Sequence, residues 1–107
     1  MADLSGRVVV GCVGPMTLIE VEDVRDRLRD ALSSAGRVDV DCSGVGETSI
    51  CFIQLLLAAR TSAAARGIGL HLKQPISASM RDALERGGFI GMSGPTRKAD
   101  EFWIGVP

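Results

Sequence analysis

Apolar and polar residues follow two alternating periods along the chain, and each change of period predicts a change of element. The β-branched run from Arg7 to Val13, followed by Gly14-Pro15, indicates a strand. From Val21 onward the apolar residues recur at helical spacing and form one stripe. We therefore predict a helix that packs by a single face and ends at Gly36. The apolar positions of this stripe are 21, 24, 28, 31, 32 and 35.

A second strand and helix follow the first pair. Arg37 to Asp41 alternates strictly between polar and apolar residues, which predicts a strand that runs into a turn over Ser43 to Gly46. Ile50 to Arg66 is apolar almost all round, so we predict a helix that must be covered on more than one side. Thr48 or Ser49 is the expected N-cap of this helix.

The third unit is shorter. Gly69 to Lys73 alternates again and predicts a strand, and Ser77 is expected to cap a short helix that ends at Gly87. Residues 98–104 fit either a last helical turn or an edge strand. Strands and helices that alternate with short connections predict one α/β domain over residues 1–107, with a largely parallel sheet and helices packed against it.

Composition narrows the class of protein. With 107 residues, 46% hydrophobic and 23% charged, the chain is long enough for one core without disulfides or metals. The net charge of −1 gives no positive field for nucleic acid. The longest apolar stretch, Ile50 to Ala59, is much shorter than the roughly 20 residues of a membrane helix. Because the first residues do not resemble a signal peptide, we expect a cytoplasmic protein without membrane insertion.

The three cysteines indicate free thiols. Cys12, Cys42 and Cys51 follow no metal-binding or redox spacing, so we expect neither a metal site nor disulfides. Cys51 falls in the first turn of the second helix, where the helix dipole favours a thiolate. A thiol-dependent enzyme that uses Cys51 is therefore an alternative to a buried, inert cysteine, although the single histidine, His71, lies on another predicted strand.

The most informative segment joins the second strand to the second helix. Glycines and hydroxyl side chains lie there at a helix N-terminus, where free N–H groups stabilise anions. Gly44 to Ser49 approaches the dinucleotide-binding pattern but has serine in place of the third glycine, so no cofactor is expected. Asp41, at the strand end, is expected to accept backbone N–H bonds.

This segment resembles the STAS domain, the family of anti-sigma factor antagonists and of the cytosolic tails of sulfate transporters. Asp41-Cys-Ser-Gly-Val45 is similar to the family's Asp-Leu-Ser-Gly-Val, and Leu55 to Arg60 is similar to its Leu-Leu-Leu-Ala-Ala-Arg. Ala63 to Leu72 resembles its Ala-x-x-x-Gly-x-x-Leu-x-Leu, Met16 to Glu20 its first-helix entry, and Met80 to Phe89 its closing motif. Together these pieces cover about residues 8 to 90 and imply a STAS-like fold, with a mixed, mostly parallel sheet.

The resemblance implies a non-enzymatic protein-interaction module of bacterial regulation, in which a partner kinase phosphorylates a serine at the start of the second helix. The family's Asp-Ser-Ser/Ala-Gly-Leu falls on Ser49 to Ile53, so Ile50, which has no hydroxyl, holds the phosphoacceptor position. Ser49 and Thr48 are the remaining candidate phosphoacceptors, and a phosphate there would add roughly −1.5 to −2 charges. Alternatively, these hydroxyls only cap the helix.

A partner-binding surface is expected in the same segment. Phe52 and Ile53 replace small residues of the family, so they either form an exposed apolar patch or belong to the core. The implied partner is a serine kinase or anti-sigma type protein. The alternatives are the ATPase of a phospholipid-transport ABC system, which does not depend on a phosphoserine, or a signalling array. The expected surface comprises Ser43, Gly44, Gly46, Ser49, Ile50, Phe52 and Ile53.

Overall fold

Strand and helix alternate three times, and a short helix follows. The computed structural model describes residues 6–90 and 100–105. The elements are β1 (Arg7–Met16), α1 (Leu18–Ser34), β2 (Arg37–Thr48), α2 (Ile50–Ala65), β3 (Gly69–Lys73), α3 (Ala78–Arg86) and α4 (Glu101–Ile104).

The sheet has three strands in the order β1-β2-β3, and both pairings are parallel. The predicted α/β class is therefore confirmed. The resemblance implied a mixed, mostly parallel sheet, and within the described residues every pairing is parallel. Val8 of β1 pairs with Val38 of β2, which pairs with Leu70 of β3. This register places the apolar sets of the three strands on one face.

β2 is longer than its sequence pattern predicts. The prediction of a turn over Ser43 to Gly46 is wrong, because these residues continue the strand beside β1. Val13 pairs with Gly44 and Met16 with Thr48, with register shifts on either side of Val13. A Cβ on Gly44 would lie 3.3 Å from Cγ2 of Val13. The glycine thus allows close approach of the neighbouring strand rather than a reversal of the chain.

The core lies between one face of the sheet and the helices. The predicted stripe of α1 is confirmed, since its apolar positions from 21 to 32 are buried. α1 ends at Ser34, with Ala35 as C-cap, just before the predicted Gly36. The least exposed side chains from strands and helices meet in this layer: Cys12, Val38, Val40, Cys42, Val24, Leu28, Phe52, Leu56, Met80 and Leu84.

α2 is covered on several sides, as its all-round apolar sequence predicts. It packs on α1 and β3. The guanidinium of Arg60 lies 5.0 Å from the ring centre of Phe102 in α4, at cation–π distance. Among the helices of the described ranges, none has the length and apolar content that crossing a membrane requires.

The last two helices close the open end of the core. Ser77 caps α3, accepting a hydrogen bond from the backbone N–H of Met80, as predicted. The C-terminal segment is a helical turn rather than a strand over 101–104, whereas residues 98 and 99 lie outside the described residues. Trp103 of α4 is only 2% exposed. The side-chain amide of Gln74 donates to the Trp103 carbonyl at 3.1 Å and so ties α4 to the end of β3.

The other face of the sheet carries charged residues, and over residues 6–90 and 100–105 no second layer of helices covers it. At the centre of this face, Asp39 is only 2% exposed. In most parallel sheets such a position is buried under a helix. Nη2 of Arg7 lies 2.7 Å from one carboxylate oxygen of Asp39, and Nε of Arg37 lies 3.1 Å from the other. The two arginine side chains, about half exposed, thus cover the carboxylate and compensate its charge.

Asp39→Asn should lower the free energy of unfolding by about 2 kcal/mol, because both charge-assisted hydrogen bonds weaken. The loss should stay below that of a fully buried pair, since both arginines can turn into water. Urea unfolding of the two proteins measures the difference. Asp26→Asn is the matched control, because Asp26 and its partner Arg29 are exposed, and it should change stability by less than about 0.5 kcal/mol. Equal effects of the two substitutions would contradict this account of Asp39.

Candidate functional site

The two long helices begin side by side at the carboxyl ends of β1 and β2. The pairing of Met16 with Thr48 aligns the two strand ends. The backbone N–H of Ser49 donates to the Met16 carbonyl at 3.2 Å and extends this alignment by one residue. In parallel α/β sheets, this edge is where binding sites form.

The hydroxyls of the predicted phosphoacceptors make local hydrogen bonds. Ser49 is the N-cap of α2, and its side chain accepts from the backbone N–H of Phe52 at 3.3 Å. The hydroxyl of Thr48 donates to the Gly46 carbonyl at 3.1 Å. Both residues are half-buried. Each hydroxyl therefore has a structural role, and the phosphorylation of either one stays a prediction.

The apolar part of the surface differs from the sequence expectation. Phe52 and Ile53 are 0% and 2% exposed, so both belong to the core and contribute no exposed patch. In the first turn of α2 their side chains point inward. Ile50, at the first position of the helix, is 52% exposed. Of the three apolar residues predicted for this surface, Ile50 is therefore the one that solvent reaches.

Two further large apolar side chains are exposed at this end of the molecule. Leu18 and Ile19 open α1 and are 63% and 77% exposed. Because α1 and α2 start at adjacent strand ends, Ile50 and these two side chains share one surface, which we call the apolar ridge. Sequence reasoning missed Leu18 and Ile19. The sequence does contain an indication of them, because both are large apolar residues that precede the helical stripe beginning at Val21.

The start of α1 is held by a capping box. The carboxylate of Glu20 accepts hydrogen bonds from both the hydroxyl and the backbone N–H of Thr17. The Thr17 hydroxyl is the main reason that the pKa of Glu20 lies below its ordinary value. This pairing fixes the backbone that carries Leu18 and Ile19.

A groove of about 280 Å³ lies beside Ile50, between the start of α2 and the end of α3. Its walls are mostly apolar, with the guanidinium of Arg86 as the charged group. Such a groove accommodates an apolar side chain of a docked protein. Its principal lining residues are Thr48, Ile50, Ile53, Arg86, Gly87 and Phe89.

The glycine and serine positions of the expected surface lie on the strand that leads to α2. Ser43 and Gly44 are exposed, and Gly46 is half-buried. Asp41 accepts hydrogen bonds from the hydroxyl of Ser43 at 2.7 Å and from its backbone N–H at 3.0 Å, which confirms the expected role of this carboxylate. Both bonds, together with the charge of Lys73, hold the pKa of Asp41 below its ordinary value.

The structure does not assemble a thiol catalytic site around Cys51. Cys51 is exposed on α2, whereas His71 lies on β3, on the charged face of the sheet. Cys12 and Cys42 are buried together in the core. Faster alkylation of Cys51 would follow from its exposure alone. In the described residues, no group of three or more potential ligands could hold a metal ion.

Comparison with known proteins identifies a family and a similar fold. The family model described as "Mlab, STAS domain" matches residues 2–97. Among solved structures, the anti-sigma factor antagonist SpoIIAA in its unphosphorylated form is similar, with a TM-score of 0.63 and 18% sequence identity. The alignment covers 78% of this chain and 76% of that one, and at this identity the likeness concerns the fold. A search of the curated proteins finds no significant match.

The capping box should make the start of α1 sensitive to acid. A carboxylate whose pKa is lowered on folding stabilises the folded state above the unfolded pKa, and this stabilisation is lost as pH falls through the folded value. NMR titration of the Glu20 carboxyl should give a midpoint below about 4.3, the value of an unperturbed glutamate. Thr17→Val should move the midpoint upward, because the largest cause of the shift is removed. Thr61→Val, on α2, is the control and should leave it unchanged, and an unchanged midpoint in Thr17→Val would contradict the assignment.

Proposed function

Since the chain belongs to the STAS domain family, we propose that it docks a partner protein through the apolar ridge and the adjoining end of β2. The fold is that of an anti-sigma factor antagonist-like protein-interaction module. The proposal concerns which surface it uses and which class of partner it binds.

The main support for this proposal is the exposure of the apolar ridge. In the described residues, five large hydrophobic side chains are exposed, and three of them are Leu18, Ile19 and Ile50. Clustered exposed apolar side chains mark interaction sites, whereas single ones are ordinary. The groove beside Ile50 adds a concave element to this surface, which is typical of interface centres that anchor a partner's side chain.

The chemistry of position 50 supports a partner that stays bound without a phosphate switch. Isoleucine has no hydroxyl, so docking cannot be released by phosphorylation at the family's usual position. We therefore propose that the partner is the ATPase of a phospholipid-transport ABC system, with this chain as its STAS subunit. Ile50 would then contribute contact area at the place where other members carry their modified serine.

A second candidate is an antagonist that binds a serine kinase or anti-sigma type protein. The observation in its favour is the position of Ser49, which is half-buried at the N-terminus of α2, next to the family's phosphoacceptor position. A phosphate there would meet the positive end of the helix dipole. It would also place about two negative charges beside the apolar ridge and weaken an apolar contact.

Both candidates assign the chain a binding role in the cytoplasm rather than catalysis. The geometry in support is the separation of Cys51 from His71 on different elements, which leaves the thiol without a histidine base. Neither candidate uses a cofactor of its own, because any nucleotide belongs to the partner.

Ile50→Asp should weaken binding to the partner about thirtyfold, the ratio that corresponds to a hot-spot loss of 2 kcal/mol. The partner is first captured from the native cell with the tagged chain, identified by mass spectrometry and purified for titration calorimetry. Ala64→Asp is the matched control, because it adds the same charge to an exposed position in the last turn of α2. Unchanged affinity of Ile50→Asp would eliminate the apolar ridge as the docking surface.

Incubation of the chain with the captured partner and ATP should leave it unphosphorylated, because an ATPase transfers the γ-phosphoryl group to water and not to a protein hydroxyl. Intact-protein mass spectrometry checks this. A single added phosphate that disappears in Ser49→Ala would instead establish the second candidate. Persistence of that phosphate in Ser49→Ala, with loss in Thr48→Val, would assign it to Thr48.

A further inference from the structure

In the described residues, β1 is the outer strand of the sheet and pairs on one side with β2, and we call its other side the free edge. The carbonyl of Gly6 accepts from the backbone N–H of Arg37, so the even-numbered groups of β1 point toward β2. Because backbone groups alternate along a strand, the N–H and C=O of Arg7, Val9 and Gly11 point away from the sheet. Within the described residues, the partner found on this edge is Nη1 of Arg27, which donates to the Gly11 carbonyl at 2.7 Å.

In the described part of the chain, the free edge is shielded from pairing with another strand by the guanidinium of Arg27 at the Gly11 carbonyl, while the backbone at Val9 stays uncovered. Edge strands are normally shielded by charged side chains, prolines or covering elements. Val8, Val9 and Val10 form its middle, and Val9 is 50% exposed. An open groove of about 310 Å³ runs between these valines and α1. A strand that carries unpaired amides and three valines beside an open groove is a template for a further strand.

We propose that a second copy of this chain pairs with the free edge of β1 in antiparallel orientation, with Val9 opposite Val9 of the second copy. Antiparallel pairing follows from two-fold symmetry, in which each strand sees the same strand reversed. In this register the backbone N–H and C=O of Val9 bond to the C=O and N–H of Val9 in the second copy. Arg7 faces Gly11 of the second copy. Arg27 releases the Gly11 carbonyl in this pairing, and all three outward-pointing residues then have backbone partners. Two three-stranded sheets thus join into one of six strands.

The charged face of the sheet is complementary to itself in this register. Arg7 lies opposite Gly11 of the second copy, where a Cβ would meet nothing within 4 Å, so the arginine side chain can pass over it. Beside Gly11, on the next strand and the same face, lies Asp41. Arg7 of each copy can thus reach Asp41 of the other, while Arg37 continues to hold Asp39.

The same register explains where the contact stops. β1 and β2 shift register between Gly11 and Val13, so the regular part of the edge ends at Gly11. The contact therefore extends over five residues from each chain, and its small size indicates a dimer that dissociates on dilution. The apolar ridge stays accessible, because it lies at the carboxyl ends of the strands. The two ridges of the dimer face opposite ends of the joined sheet and can bind two partners.

Sedimentation velocity over a concentration series tests the proposal. The wild-type chain should rise from 11.3 kDa to twice that mass as concentration increases. Val9→Lys should remain at the mass of one chain, because two lysines would face each other across the axis. Val13→Lys is the matched control: Val13 is 81% exposed on the same face but outside the register, so its dimer should persist. Circular dichroism establishes that each variant is folded.

A cross-link provides an independent measurement. Opposite residues of a hydrogen-bonded antiparallel pair have Cα atoms about 5.5 Å apart, within disulfide range. In a Cys51→Ser background, Val9→Cys should form a disulfide between two chains under mild oxidation, whereas Val13→Cys should not. A wild-type chain that stays monomeric at every concentration overturns the proposal. A dimer that survives Val9→Lys, or that cross-links equally through position 13, overturns it as well.

Discussion

The pairing of β1 with β2 beyond the two buried cysteines determines where both long helices begin. Without it, the strand ends at Met16 and Thr48 would separate, and the starts of α1 and α2 with them. The pairing continues through two register shifts, and it depends on a glycine at position 44 to admit the side chain of Val13. The candidate site is thus a product of backbone hydrogen bonding, and its exposed side chains are placed by strands rather than by a flexible loop.

The charged face of the sheet shows a second way to complete a parallel α/β fold. A helical layer would normally cover this face, but here the arginines at positions 7 and 37 enclose Asp39. Such a layer of ion pairs is thin, and Val9 on the same face remains half exposed. The apolar core lies on the opposite face, where side chains of the strands and of the helices are buried against each other.

Much of this fold follows from local sequence patterns. The stripe of α1, the all-round apolar character of α2, the capping serines 49 and 77, and the alternation in β3 each reflect interactions within a few residues of one another. The extension of β2 does not, because Gly44 and Gly46 are typical turn residues, and only the adjacent β1 strand explains them. In the candidate site, the exposure of Ile50 and the burial of Phe52 depend on how α2 rotates against the sheet, which residue type alone does not specify.

Because α4 is attached to the end of β3, Trp103 of α4 can serve as an intrinsic fluorescent probe. The chain contains one tryptophan and no tyrosine. The indole of Trp103 is enclosed, with the rings of Phe102 and Phe89 at 4.9 and 6.3 Å from its own. Intrinsic fluorescence therefore originates almost entirely from this one contact. A red shift of the emission reports the release of the C-terminal turn into water.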